Sequence, residues 1–358
     1  MKRILSLLLL AALLISFTAC SGNVDKDPEP TGKPTAEPEV TTEPVTETPT
    51  TEAATTEEPT TEEPTTDEPE KEKFVYKHVV IIGIDGMGAY HTQETANTPN
   101  LDSIFKDYAL TDIAQSYNPV ASGPLWLSMF TGISPLKMQV LENTGKESVN
   151  KKYADAVEKY GTIFSRMHDT YPDANIASIT GYAPMQDIIL DNMNYMYKLR
   201  GYREWWSTSE NTKKAVSYLK QLDTSKPSLT FIYYIEPDST GHKETWGSEK
   251  FHEALTECDV GLGEIFKVCE EKGMLEDTLF IVATDHGGDG TKHGGIYTAP
   301  ALNITLGFRG KTVNNTKNFN MILRDIAPIV VEAMGLEPCP DWATLNEPPA
   351  VPKELFKE

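Results

Sequence analysis

Three runs along the chain are apolar at consecutive positions: "HVVIIGID" (78–85), "LTFIYYIEPD" (229–238) and "TLFIVATDH" (278–286). A strand with one wet face alternates apolar and polar residues. Unbroken runs of this length predict strands buried on both faces, as at the centre of a mostly parallel sheet. Helical spacing of apolar residues predicts helices over 98–108, 153–169 and 248–273, with a last one over 319–335 that ends at Gly335. Strands alternating with helices predict an α/β fold, a doubly wound, mostly parallel sheet flanked by helices on both faces.

The first 73 residues follow neither pattern. Lys2 and Arg3 precede an apolar run from Ile4 to Phe17, and "FTAC" closes it at Cys20. That run is shorter than the ~20 residues of a membrane-spanning helix. Small residues before a cysteine predict a bacterial lipoprotein signal peptide over 1–19, with lipid attached at Cys20. From Ser21 to Lys73 the chain is threonine, proline and glutamate in loose repeats such as "TEEPTTEEPTTDEPE". Nothing there recurs at helix or strand spacing, so nothing offsets the entropy of ordering, and 20–73 reads as a lipidated cysteine and disordered stalk. The expected location is the extracytoplasmic face of a bacterial membrane, reached through the lipid anchor.

Composition sharpens this division. The formal charge of the whole chain is −21. Four lysines against sixteen acidic residues give the stalk −12, and the signal segment carries +2, which leaves −11 for Phe74–Glu358. The folded part is moderately acidic, so a nucleic-acid partner is not expected. Its 285 residues are ample for an enzyme. Cys258 and Cys269 fall on one helical stripe ~16 Å apart, too far for a disulfide, and with Cys339 they read as buried thiols.

Each apolar run ends in a carboxylate, Asp85, Asp238 or Asp285, at the strand's C-terminal edge, where open α/β sheets bind ligands. One such aspartate is more often a turn former. Here His242 follows Asp238 by four residues in an expected loop, and His286 and His293 follow Asp285. Aspartate with histidine suits zinc, or manganese where oxygen ligands dominate, and the glycines around them let the backbone turn sharply.

Six segments in order, "IIGIDGMG", "TPNLDSI", "ASGPLWLSMFTGISP", "EPDSTGH", "ATDHGG" and "HGG", resemble the alkaline-phosphatase superfamily, nearest its nucleotide pyrophosphatase/phosphodiesterase branch. They span residues 77–295, and "DIAPIVVEAMGLE" resembles the family's C-terminal helix. The resemblance implies a catalytic domain over 74–358 that holds two divalent metal ions, most simply zinc. Asp238, His242 and His293 would hold one. Asp85, Asp285, His286 and the oxygen of the nucleophile would hold the other. The nucleophile falls on Ser122, at the start of an apolar helical run with Pro124 in its first turn, where exposed N–H groups suit a phosphate. Read without the resemblance, Ser122 is a plain N-cap. Counting on from Ser122, the phosphate-holding asparagine of the branch falls on Asn143.

Two departures bear on substrate. The residue after the nucleophile, aromatic in the nucleotide-cleaving members, is Gly123, which is expected to leave room where a base would stack. Sulfatases require an arginine two residues after the proline; here Pro124 is followed by Leu125 and Trp126. The implied activity is phosphodiester hydrolysis through a covalent phosphoserine, on a phosphoester such as a lipid or glycan headgroup. Two rivals stand beside it: transfer of a phospho-alcohol headgroup to a surface glycan or lipid, and a non-catalytic lipoprotein that binds a partner through Trp126, Trp205 and Trp206.

Overall fold

In the computed structural model the described residues are 76–182, 184–185, 194–200, 206–293 and 297–357. Cys20, the stalk, Trp205 and the glycines at 294 and 295 lie outside them. Among the described residues seven strands form one sheet in the order β2-β7-β6-β1-β5-β3-β4. They are β1 (His78–Ile84), β2 (Ala109–Gln115), β3 (Asn175–Thr180), β4 (Tyr197–Arg200), β5 (Ser228–Tyr234), β6 (Thr278–Ala283) and β7 (Asn303–Arg309). The three apolar runs are β1, β5 and β6, adjacent at the centre and mutually parallel. Only β7 opposes its neighbours β2 and β6.

Parity along β1 shows why the runs do not alternate. Val79 and Ile81 join one core with Phe231 and Ile281, beneath α2 (Ser122–Thr131), α3 (Glu147–Tyr160), α4 (Ile163–Thr170) and α8 (Ile326–Met334). Val80, Ile82 and Ile84 join a second core with Ile232 and Phe280, beneath α1 (Pro99–Phe105), α5 (Thr208–Gln221) and α7 (Glu249–Glu271). Both faces of each central strand are covered, as in a doubly wound sheet.

Three expectations change in detail. The helix over 153–169 is two helices, α3 and α4, because Gly161 takes a left-handed φ of 65° that ends the first. The last helix begins only at Ile326, after a short 3₁₀ turn. Asp238 and His242 lie on a helix, α6 (Glu236–Glu244), and not in a loop. Pro237 occupies its first turn, where a missing N–H costs nothing. Cys258, Cys269 and Cys339 are free and buried, as expected. Among the described residues no helix is long and apolar enough to cross a membrane.

Candidate metal centre and active-site pocket

Register delivers the acidic residues to one place. Ile84 of β1 pairs with Tyr234 of β5, and Gly83 with Ala283 of β6, so the three strands end level. The Asp85 N–H donates to Tyr234 O at 2.9 Å, and the Asp238 N–H to Asp85 O at 3.1 Å. The Gly86 N–H donates to Asp285 Oδ1 at 3.2 Å. Gly86 itself has φ of 70°, and a Cβ there would stand 2.8 Å from the Asp238 backbone. That position therefore needs glycine twice over.

The predicted ligands gather in two adjoining groups, Asp238 with His242 and His293, and Asp85 with Asp285 and His286. On α6 the four-residue spacing puts Asp238 and His242 on one face. His242 Nε2 and His293 Nε2 each lie 3.5 Å from Asp238 Oδ1. His286 Nε2 lies 3.5 Å from Asp85 Oδ1, 3.3 Å from Asp285 Oδ2 and 4.0 Å from Asp238 Oδ1. The His286 and His293 rings stack with centroids 3.9 Å apart, which joins the groups.

The far side of each imidazole decides its tautomer. His242 Nδ1 faces Thr291 O at 3.0 Å, His286 Nδ1 faces Gly287 O at 2.9 Å, and His293 Nδ1 faces Val120 O at 3.2 Å. A carbonyl only accepts, so the proton sits on Nδ1 and the Nε2 lone pair is turned to the carboxylates. Burial lowers the pKa of His286; burial and the neighbouring imidazoles push His293 down to about 3. Both are neutral, the form that binds metal. Burial, then Asp85 and Asp238, holds Asp285 well above the usual carboxylate range; burial, then Asp85, does the same to Asp238. Asp238 Oδ1 and Asp285 Oδ2 are buried and accept no hydrogen bond. Crowded carboxylates with orphaned oxygens, faced by imidazole lone pairs, fit a divalent cation at each group.

Ser122 meets the second group. Its Oγ lies 3.1 Å from His286 Nε2 and 3.4 Å from Asp85 Oδ1. It is the first residue of α2, and Ala121 stands at the N-cap position. The hydroxyl is thus aimed at the ligands and does not close its own helix. Asn143 accepts the Gly123 N–H through Oδ1 at 2.8 Å and lines the same pocket. This cavity of about 110 Å³ is lined by the polar residues Asp85, Ser122, Asp238 and His293 and by the apolar Pro184, Met185 and Ile235. Gly123 does not leave room for a ring. A Cβ there would stand 2.3 Å from the Tyr153 hydroxyl, which fills that space.

Sequence reading missed the residues that hold the ligands. Tyr233 donates its hydroxyl to Asp85 Oδ2, and Trp126 Nε1 donates to the same oxygen at 3.2 Å. Trp126 is wholly buried, so it offers no surface to a partner. Trp246 Nε1 donates to Gly86 O at 2.8 Å, and its ring lies where side chains on Gly241 and Gly288 would be. One indole thereby spaces the three ligand-bearing segments.

Comparison with known proteins shows the family and the fold. Residues 79–327 match the family described as type I phosphodiesterase / nucleotide pyrophosphatase. Ectonucleotide pyrophosphatase/phosphodiesterase family member 3 of Rattus norvegicus is 23% identical over 226 residues, 62% of this chain and 26% of that protein. Bis(5'-adenosyl)-triphosphatase ENPP4 of Bos taurus is 23% identical over 58% of this chain and 47% of its own length. The chain therefore spans between about a quarter and a half of these relatives. Among solved structures, murine ectonucleotide pyrophosphatase/phosphodiesterase 5 superposes with a TM-score of 0.57 at 14% identity, over 73% of this chain and 96% of that one.

Proposed function

The chain belongs to the type I phosphodiesterase/nucleotide pyrophosphatase family, and from that premise we propose a metal-dependent phosphodiesterase in which Ser122 is the nucleophile. The observation that carries this reading is the Ser122 hydroxyl, 3.1 Å from His286 Nε2 and 3.4 Å from Asp85 Oδ1, beside two groups of side chains that could each hold a metal ion. Two divalent ions, zinc by the mixed N and O donors or manganese, would be held by Asp238, His242 and His293, and by Asp85, Asp285, His286 and the Ser122 oxygen. Bound there they supply positive charge that favours the serine alkoxide and offsets charge on the phosphate.

Ser122 Oγ forms a bond to phosphorus as the bond from phosphorus to the ester's alcohol breaks; water then cleaves the phosphoserine and restores the hydroxyl. Of the first three residues of α2, Gly123 spends its N–H on Asn143 Oδ1 and Pro124 has none. Holding a phosphate oxygen thus falls to the Ser122 N–H and the Asn143 NH₂. No lysine or arginine lines the pocket among the described residues, and Pro184, Met185 and Ile235 give it an apolar wall. A singly charged diester with an apolar alcohol, such as a lipid, matches that lining better than a dianionic monoester. The test is side-by-side turnover of bis-p-nitrophenyl phosphate and p-nitrophenyl phosphate with zinc present. The diester should give the higher kcat/KM, and Ser122→Ala should abolish it by about three orders of magnitude or more while keeping its metal. A preferred monoester, or an active Ser122→Ala, would overturn the reading.

The same proposal tethers the domain outside the cytoplasm through lipid on Cys20 and the stalk, supported by the sequence of residues 1–73 alone. Cys20→Ser should release it from membranes. Retention after signal cleavage would remove the anchor.

A further inference from the structure

We propose that Tyr153 is a positioning residue which, with Gly123, sets the Asn143 amide beside Ser122; this rests on the roles of Ser122 and Asn143 given above. Tyr153 lies in α3 and is wholly buried, yet its hydroxyl donates outside its own helix, to Glu142 O at 3.0 Å. The next residue, Asn143, accepts the Gly123 N–H at 2.8 Å. A backbone N–H only donates, so the atom facing it is Oδ1, and the NH₂ end is what remains for a ligand. Residues 142 and 143 are thereby fixed from two helices, α3 through Tyr153 and α2 through Gly123. Burial raises the phenol's pKa, so it stays a donor.

Gly123 is where the constraints meet. A Cβ there would lie 2.3 Å from the Tyr153 hydroxyl oxygen, 3.1 Å from Asn143 Oδ1 and 3.2 Å from Tyr153 Cζ. Its φ is not in the left-handed region, and glycine is a poor helix former, so the backbone gives no reason for glycine at this position. The hydroxyl gives one. Any side chain at 123 meets Tyr153 and Asn143 first, and so displaces Tyr153 or the 142–143 loop and with it the Asn143 amide. Small misplacements of this kind lower rates sharply.

The experiment compares the zinc-loaded full chain with Tyr153→Phe, Gly123→Ala and the double variant. Three quantities are read: zinc stoichiometry, affinity for inorganic phosphate by calorimetry, and kcat and KM for bis-p-nitrophenyl phosphate. Tyr153→Phe, which deletes one oxygen, should weaken phosphate binding and kcat/KM about tenfold, and Gly123→Ala about a hundredfold, both with zinc content unchanged. In the double variant the hydroxyl is gone and the nearest ring carbon is 3.2 Å from the new methyl. It should recover to near the Tyr153→Phe level. A double variant worse than Gly123→Ala, as independent losses would give, overturns the proposal, as does phosphate affinity in Tyr153→Phe equal to wild type. Recovery of phosphate binding in a protein that turns over no diester would sink the hydrolase reading and leave this one standing.

Discussion

Asp85 shows how one side chain is prepared for its task. Oδ2 takes hydrogen bonds from the Tyr233 hydroxyl and Trp126 Nε1, which leaves Oδ1 toward His286 and Ser122. Tyr233 is fully buried, and burial, then the charge of Asp85, raises its pKa far beyond the working range, so it always donates. Outer partners of this kind typically carry 10–100-fold in metal affinity. Tyr233→Phe should keep the fold and weaken zinc at the Asp85 group about tenfold, read by chelator competition. Unchanged zinc affinity would reduce Tyr233 to core packing. Histidine is scarce in the chain, seven residues in all, so His242, His286 and His293 beside aspartates were legible in the sequence. Tyr233 and Trp126 were not, because inside "FIYYIEPD" and "LWLSMF" an aromatic residue is what any core would contain.

At the scale of elements, strands buried on both faces announced themselves and the others did not. β2 is an edge strand with partial exposure, β4 has four residues, and β7 carries Thr305 and Gly307 within its apolar run. The segment "EPDSTGH" is rich in turn formers, which hid α6 behind a loop reading. β1 also carries a titrating group at the edge opposite the ligands, ~20 Å away at about 3.3 Å per residue. His78 Nδ1 meets Ser228 Oγ at 2.8 Å, in register across β1 and β5. Burial, then Lys77, lowers its pKa to about 4. The unfolded chain takes up this proton near 6.5 and the folded chain only near 4. Its contribution to stability is therefore complete above pH 6.5 and is lost as pH falls from there toward 4. His78→Gln should flatten the fall of Tm between pH 7 and pH 5 in the zinc-loaded protein, and parallel slopes would exonerate His78.

For the whole molecule, the fold class and both ligand groups could be read from sequence because they depend on residue type and order. What could not be read depends on distances between elements far apart in the chain, such as Tyr153 against Gly123, or Trp246 against Gly288. The level ends of β1, β5 and β6 have a further consequence in time. Ligands drawn from Asp85, Asp238 and Asp285 come together only when β5 and β6, each well over a hundred residues further along the chain than β1, have zipped on to it. Such long-range parallel pairing is slow to form. A cation should then find no foothold on the ascent to the barrier and grip only the finished sheet. Interactions absent from the transition state slow escape from the native basin and leave entry unchanged. In urea jumps, zinc should leave the refolding arm of the chevron in place and slow the unfolding arm at least about tenfold. A refolding arm that quickens with zinc would mean that this sheet edge is built first.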